Sequence, residues 1–198
     1  MLHGHGDDGY RHGVPVRANF SSNVRRGRHT DGLRVHLFET FQQVACYPEV
    51  AAESLAKRIA VREDIDPSQV IVTAGATGAI YLIAQAHRRR RSYIVTPTFS
   101  EYADACAQHE HQVEPGTRAG FQAGQFAEAD LVWLCNPNNP TGDVFSREAV
   151  LAVVAQHTQT TFVIDIAYAG QCDEPPVRAG DVVAHPNLIV VRSLTKEA

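Results

Sequence analysis

The chain has 198 residues, of which 44% are hydrophobic and 20% are charged, and this composition excludes a disordered protein. Its 18 Lys and Arg against 22 Asp and Glu give a formal net charge of −4, which argues against a dedicated nucleic-acid-binding protein. No apolar run approaches the roughly 18 residues of a membrane helix, and residues 1–8 lack the basic start and apolar core of a signal peptide, so we expect a soluble, cytoplasmic protein without a membrane partner.

The N-terminal third is predicted to be a polar arm followed by two helices. Residues 1–31 are polar and rich in glycine, and a short extended stretch is compatible with residues 16–20. Apolar residues recur at spacings of four, four and three over Leu33–Val44, which predicts an amphipathic helix. Tyr47-Pro48-Glu49 interrupts this pattern and starts a second helix that runs to about Arg62, because proline is tolerated in a first helical turn.

From residue 70 onward, short apolar runs alternate with helical patterns. The predicted strands are Val70–Val72, Tyr93–Val95, Leu131–Cys135, Phe162–Ile164 and Leu188–Val191. The predicted helices are Ala79–His87, Tyr102–His109 and Ser146–Gln156, the last with Ser146 as its cap. Continuous apolar strands that alternate with helices predict an α/β fold with a mostly parallel sheet and helices on both faces.

Cysteine and histidine give no metal-site pattern. The four cysteines are Cys46, Cys106, Cys135 and Cys172. They include no C-x-x-C pair, so we predict reduced thiols that mostly fill the core. Three histidines of the leader could bind a metal, but a mobile polar arm is the better interpretation, because nothing forces them onto one face; they are His3, His5 and His12. The charge run Arg88–Arg91 is predicted to be a solvated surface at a helix end.

Polar residues follow four of the predicted strands, at the edge where ligands bind in parallel sheets. The sets are Gly75-Ala76-Thr77 after the first strand, Asn139–Gly142 after the third, Asp165 with Tyr168 after the fourth, and Ser193–Lys196 after the fifth. Each set alone has a plainer interpretation, as a tight turn or a solvated lysine. A carboxylate at the end of an apolar strand is costly unless it is paired, so we expect Asp165 to have a cationic partner.

Together, these sets contain the groups that pyridoxal 5'-phosphate needs. Gly75-Ala76-Thr77 at a helix start can cradle a phosphate with free N–H groups. The carboxylate of Asp165 can keep a pyridine nitrogen protonated, Lys196 can form an imine, and the amide of Asn139 and the phenol of Tyr168 can bond an oxygen. The turn at Gly75-Ala76-Thr77 is not the G-x-G-x-x-G dinucleotide-binding fingerprint, and the sequence contains no P-loop, which disfavours the alternative of a nucleotide-binding domain.

With Pro97-Thr98-Phe99, these motifs resemble those of fold type I pyridoxal-phosphate enzymes of the class I/II aminotransferase family, over roughly residues 70–196. The resemblance implies an N-terminal arm and part of a small domain at residues 1–45, and an incomplete cofactor-binding large domain at residues 46–198. Such enzymes continue past Lys196 into an arginine that holds the phosphate and a C-terminal small domain. We therefore expect an N-terminal part of such an enzyme, poorly active alone; a truncated, inactive remnant is an alternative.

The resemblance also implies a role for each site residue. Lys196 would form the internal aldimine and later move the α-proton, and Asp165 would pair with the pyridinium nitrogen. Asn139 and Tyr168 would hydrogen-bond the ring hydroxyl oxygen, and Phe99 would stack on the ring.

The phosphate would be held at the glycine-containing turn Gly75-Ala76-Thr77, by the backbone and hydroxyl of Ala76 and Thr77, and by Ser193. Tyr47 resembles the tyrosine that reaches the phosphate of a neighbouring protomer, which implies a homodimer with shared sites.

Three segments are most similar to the branch that contains histidinol-phosphate aminotransferases and threonine-phosphate decarboxylases. They are Asn19–Asn23, Tyr47–Glu49 and Pro97–Tyr102. The expected reaction is amino transfer between an amino acid or amino-phosphate compound and a 2-oxo acid. The alternative is decarboxylation of threonine phosphate at the same site, and the first of the three segments leans slightly towards it.

Overall fold

The structure, a computed structural model, describes residues 31–173 and 176–196 together with residues 13, 15, 17, 18 and 23. The chain divides into two compact units, which contain residues Asn23–Val72 and Thr73–Glu197. This division lies further along the chain than the boundary predicted between residues 45 and 46. The leader histidines His3, His5 and His12, and most of the predicted stretch at residues 16–20, lie outside the described residues.

The unit Asn23–Val72 is helical. Its elements are helix α1 (Asp31–Thr40), a 3-10 turn (Phe41–Ala45), helix α2 (Glu53–Glu63) and a 3-10 turn (Pro67–Gln69). The predicted start of the second helix at Pro48 is wrong, because Ala52 adopts a left-handed backbone with φ of 51° that cannot continue a helix. Glu49 instead lies before the helix and accepts a hydrogen bond from the Ser54 N–H, at 2.8 Å.

The unit Thr73–Glu197 contains a five-stranded parallel sheet. The strands are β1 (Arg91–Val95), β2 (Gln112–Gly116), β3 (Leu131–Cys135), β4 (Thr161–Asp165) and β5 (Leu188–Val191). Their order across the sheet is β2-β1-β3-β4-β5, and every neighbouring pair is parallel. The helices are α3 (Gly75–Ala86), α4 (Glu101–Gln108), α5 (Arg118–Gln122), α6 (Arg147–Gln156) and α7 (Asp181–Ala184).

Strand β3 lies at the centre of the sheet and shows how the two faces are covered. Its side chains alternate between two apolar clusters, with Trp133 in one and Val132 and Leu134 in the other. Helices α3 and α4 pack on the Trp133 face, and helices α5 and α6 on the opposite face. The predicted α/β fold with helices on both faces is therefore confirmed.

The structure differs from the sequence prediction at three points. Residues Val70–Val72 form no strand: they pair with none of the described strands, and Ile71 is 84% exposed. Helix α3 begins at Gly75, earlier than the predicted Ala79, so the glycine-rich set forms its first turn. Strand β2 and helices α5 and α7 were not predicted; β2 contains Glu114 and Pro115 and is an exposed edge strand, so it lacks an apolar pattern.

All four cysteines are free thiols, and two of them, Cys106 and Cys135, are buried. The side chains of Arg88–Arg91 are exposed and form ion pairs with Glu110, Glu128 and Asp130, as expected for a solvated surface. Within the described ranges, no helix is long and apolar enough to cross a membrane, and no group of three or more His, Cys, Asp or Glu could hold a metal ion.

Candidate cofactor site

The carboxyl ends of the five parallel strands lie at one edge of the sheet. The predicted site residues that lie at or after these strand ends are Phe99, Asn139, Asp165, Tyr168, Ser193 and Lys196, whereas Gly75, Ala76 and Thr77 precede β1 at the start of α3. Asp165 is the last residue of β4 and is 5% exposed. The Tyr102 hydroxyl donates to its Oδ2 at 2.8 Å, and the Ala167 N–H donates to its Oδ1 at 2.9 Å. Burial raises the pKa of Asp165, and the two hydrogen bonds oppose that rise.

The expected cationic partner of Asp165 is not found among the residues that the structure describes. Its partners are neutral donors, a phenol and a backbone amide. These hydrogen bonds from neutral groups compensate part of the burial cost of the carboxylate, and the cation that the resemblance assigns to Asp165, a protonated ring nitrogen, stays a prediction.

The loop after β3 is fixed by asparagine side chains that the sequence analysis did not single out. Asn136 is buried and exchanges two hydrogen bonds with the Phe145 backbone, at 3.0 and 2.8 Å. Asn138 donates to the Pro97 carbonyl at 2.9 Å, which joins this loop to the one after β1. The half-buried Asn139 therefore lies in a loop that is held on both sides.

The loop after β1 carries Phe99, which is half-buried. Its ring meets the Tyr102 ring edge to face, with centroids 5.8 Å apart. Tyr102 in turn stacks on Trp133 at 5.7 Å. The predicted ring-stacking residue is thus in contact with the tyrosine that holds Asp165.

The first turn of α3 is suited to an anion. Gly75 has φ of +78°, and apart from its chain neighbours and the backbone of its own helix no atom lies within 4 Å of the place that a Cβ would occupy. No side chain caps the helix, so N–H groups of its first turn, including those of Ala76 and Thr77, lack intrahelical acceptors. The positive end of the helix dipole adds to their attraction for a phosphate.

Ser193 and Lys196 follow β5, which pairs with β4 so that Asp165 lies opposite Val191. The Ser193 hydroxyl lies 2.8 Å from the Thr195 hydroxyl. Lys196 ends a 3-10 turn (Leu194–Lys196), and its Nζ lies 5.7 Å from the centroid of the Tyr168 ring. The structure therefore brings the predicted amine and phenol together.

Tyr47 belongs to the other unit, where its side chain is fully exposed. Its predicted role at the phosphate of a second protomer stays a prediction.

Comparison with known proteins identifies the family. Residues 19–198 match the model for aminotransferase class I and II. The chain is 32% identical over 173 residues to the histidinol-phosphate aminotransferase of Lactiplantibacillus plantarum, and this match covers 79% of this chain and 48% of that protein. It is 27% identical over 192 residues to the threonine-phosphate decarboxylase of Salmonella typhimurium, covering 90% of this chain and 52% of that protein.

A solved structure of L-threonine-O-3-phosphate decarboxylase from Porphyromonas gingivalis superposes with a TM-score of 0.82 at 38% identity, covering 88% of this chain and 56% of that one. The chain thus spans about half the length of the relatives that it matches. Members of the matched family use pyridoxal phosphate. The chain belongs to the class I and II aminotransferase family.

Proposed function

We propose that the edge of the sheet that carries Asp165 and Lys196 binds pyridoxal 5'-phosphate, and that the protein transfers an amino group between an amino acid or amino-phosphate compound and a 2-oxo acid. The observation that carries the proposal is the buried carboxylate of Asp165 at the end of β4. An acid is seldom kept in such a place without a ligand or catalytic task, because its burial is costly.

The residues present fit the cofactor in three respects. The uncapped first turn of α3, with open space at Gly75, is complementary to a phosphate. Asp165 is complementary to a ring N–H, because an ionised carboxylate accepts hydrogen bonds and donates none. Lys196, beside Tyr168, supplies a primary amine, the group that bonds to an aldehyde carbon.

When bound, pyridoxal phosphate supplies a protonated ring that withdraws electrons from the substrate α-carbon. The chain's own groups have separate tasks around it. Asp165 would hold the proton on the ring nitrogen, Asn139 and Tyr168 would donate to the ring oxygen, and Phe99 would cover one face of the ring. Ser193 would join the first turn of α3 in holding the phosphate, and Lys196 Nζ would carry a proton to and from the substrate α-carbon.

A phosphorylated substrate is favoured by the relatives, since the names of those compared specify histidinol phosphate or threonine phosphate. In the whole protein, we propose a homodimer in which Tyr47 reaches the partner's phosphate site. Decarboxylation of threonine phosphate is the second candidate, and the 38% identity with the Porphyromonas gingivalis decarboxylase favours it. The two reactions differ in whether the bond from the α-carbon to hydrogen or the bond to the carboxylate would break.

The cofactor proposal is testable because the chain has two lysines, Lys57 and Lys196. We expect pyridoxal phosphate followed by borohydride to attach a pyridoxyl group to Lys196, as mapped by mass spectrometry of peptides. Lys57→Ala should keep the saturable label and Lys196→Ala should lose it. Equal labelling of both lysines, without competition by deoxypyridoxine phosphate, would contradict the proposal.

The reaction is tested with two substrates. Histidinol phosphate with 2-oxoglutarate should give glutamate if the protein transfers amino groups, and threonine phosphate should release carbon dioxide if it is a decarboxylase. Labelling of Lys196 with neither product would contradict both of these reactions.

A further inference from the structure

We propose that Tyr102 is a positioning residue that holds Asp165 in its ionised form and fixes the direction in which its carboxylate points. This inference rests on the proposed function of Asp165 towards the cofactor. The observation behind it is a hydrogen bond of 2.8 Å from the Tyr102 hydroxyl to Asp165 Oδ2, between residues 63 positions apart in the chain.

Tyr102 cannot be a substrate-binding residue, because its side chain is 1% exposed. Its ring is held between Phe99, which meets it edge to face at 5.8 Å, and Trp133, on which it stacks with an angle of 22° between the planes. Trp133 is itself anchored, since its indole N–H donates to the Ser92 hydroxyl at 3.3 Å. The hydroxyl is therefore delivered to Asp165 by a ring that has little freedom to move.

The two donors leave Asp165 able to accept a further hydrogen bond. Tyr102 uses one lone pair of Oδ2, and the Ala167 N–H uses one lone pair of Oδ1. Each carboxylate oxygen has two lone pairs, so one remains on each for a ring N–H. The arrangement fixes the carboxylate in the way that outer groups fix metal-binding side chains.

The charge of Asp165 also depends on Tyr102. Burial raises the pKa of Asp165, which favours the neutral acid, and the neutral acid cannot hold a proton on a ring nitrogen. A hydrogen bond to the ionised oxygen opposes this effect. Burial raises the pKa of Tyr102 as well, so at neutral pH its hydroxyl is protonated and donates.

One other titratable group near Asp165 is Cys135, the last residue of β3. Its thiol donates to the Pro137 carbonyl at 3.2 Å, and burial raises its pKa to about 11, so it is neutral over the range where Asp165 ionises. Among the described residues, Tyr102 is thus the side chain that stabilises the charge on Asp165.

The test measures the pKa of Asp165 in the cofactor-free chain. The measurement is a carbon NMR titration of protein whose aspartates are labelled at the carboxyl carbon, and Asp165→Asn assigns the signal. Tyr102→Phe should raise this pKa by about one unit. Tyr93→Phe is the matched control: Tyr93 is a buried tyrosine whose hydroxyl accepts from the Thr117 N–H at 3.2 Å, and its loss should leave Asp165 unchanged.

A second perturbation retains the tyrosine ring if Tyr102→Phe does not fold. Biosynthetic replacement of tyrosine by 3-fluorotyrosine makes the phenol a stronger donor and should lower the pKa of Asp165. No shift in either experiment, or an equal shift in Tyr93→Phe, would overturn the inference. If Lys196 of the wild-type chain is not labelled by pyridoxal phosphate and borohydride, the proposed function is contradicted. A shift of the Asp165 pKa in Tyr102→Phe would in that case still support the role of Tyr102.

Discussion

The Nζ atom of Lys196 lies 5.7 Å from the centroid of the Tyr168 ring, although the two residues follow different strands of the sheet. This is within the roughly 6 Å at which an ammonium is attracted to an aromatic face. The contact links the segments that follow two neighbouring strands, β4, which ends at Asp165, and β5. Under the proposed function the phenol would therefore have two tasks, one through its face and one through its hydroxyl.

Substitutions at Tyr168 should separate these tasks. Tyr168→Leu removes the ring, which is worth about 0.5–1 kcal/mol to a nearby cation, so borohydride labelling of Lys196 with pyridoxal phosphate should become about two- to fivefold slower. Tyr168→Phe keeps the face and removes only the hydroxyl, so it should slow labelling less than Tyr168→Leu does. Equal slowing in both variants would show that the ring face does not position the amine.

Asp165→Asn should stabilise the fold at neutral pH while it weakens cofactor binding. The pKa of Asp165 is raised in the folded state, so its ionisation favours unfolding as pH rises through that pKa. Calorimetry at pH 7 should therefore show a higher Tm for the variant, by about 2–4 °C for each ~1 kcal/mol. The difference should disappear below about pH 4, where both states of the wild type are protonated.

The first turn of α3 offers a matched pair of glycines. Gly75→Ala forces a side chain into a left-handed backbone with φ of +78° and should lower the free energy of unfolding by about 1 kcal/mol. The same substitution should weaken phosphate binding. Gly78→Ala meets its nearest atom, Thr73 Cβ, at an ordinary 3.7 Å and should stabilise the helix by up to about 1 kcal/mol. Urea unfolding and a phosphate titration of both variants check this contrast.

The ion pair of Arg147 with Asp181 is predicted to matter more than those of the arginine run. Asp181 is buried, and besides Arg147 it accepts from the Arg178 N–H at 2.8 Å. Burial alone would raise its pKa, but these contacts, with Arg147 first among them, lower it overall. Arg147→Met should therefore cost about 2 kcal/mol at pH 7, by leaving a buried charge without its cation.

The stability cost of Arg147→Met should depend on pH. A lowered folded pKa contributes stability above the unfolded value of about 3.9 and loses it as pH falls through the folded pKa, so the cost of Arg147→Met should shrink in acid. Arg91→Met removes the exposed pair with Glu128 and should change stability by less than about 1 kcal/mol at any pH. Equal Tm losses in both variants at pH 7 would contradict the distinction.

The strands that could be predicted from the sequence are those that are buried on both faces and therefore continuously apolar. Leu131–Cys135 and Leu188–Val191 match β3 and β5 in full, because a continuous apolar run can be satisfied only inside a covered sheet. Val70–Val72 has the same composition, but a strand also needs a neighbour, and propensity carries no information about pairing. The prediction begins α3 at Ala79 rather than at Gly75, because Gly75, Thr77 and Gly78 have low helix propensity.

Within the site, the residues at the strand ends could be predicted from the sequence, but the buried residue that hydrogen-bonds Asp165 could not. Asp165 was found because an acid after an apolar strand is conspicuous. Tyr102 was missed because an aromatic residue in a helix is usually a core residue, and its partner is distant in the chain. The available signal was the requirement that a buried tyrosine hydroxyl find an acceptor.

Trp133 is the single tryptophan of the chain, and it stacks on Tyr102 at 5.7 Å. Its ultraviolet emission consequently comes from one place in the molecule, two aromatic rings away from the surface that Phe99 presents. Energy transfer to a bound chromophore would dim this emission in proportion to occupancy. The protein thus contains its own optical reporter, with which ligand entry can be timed without any attached dye.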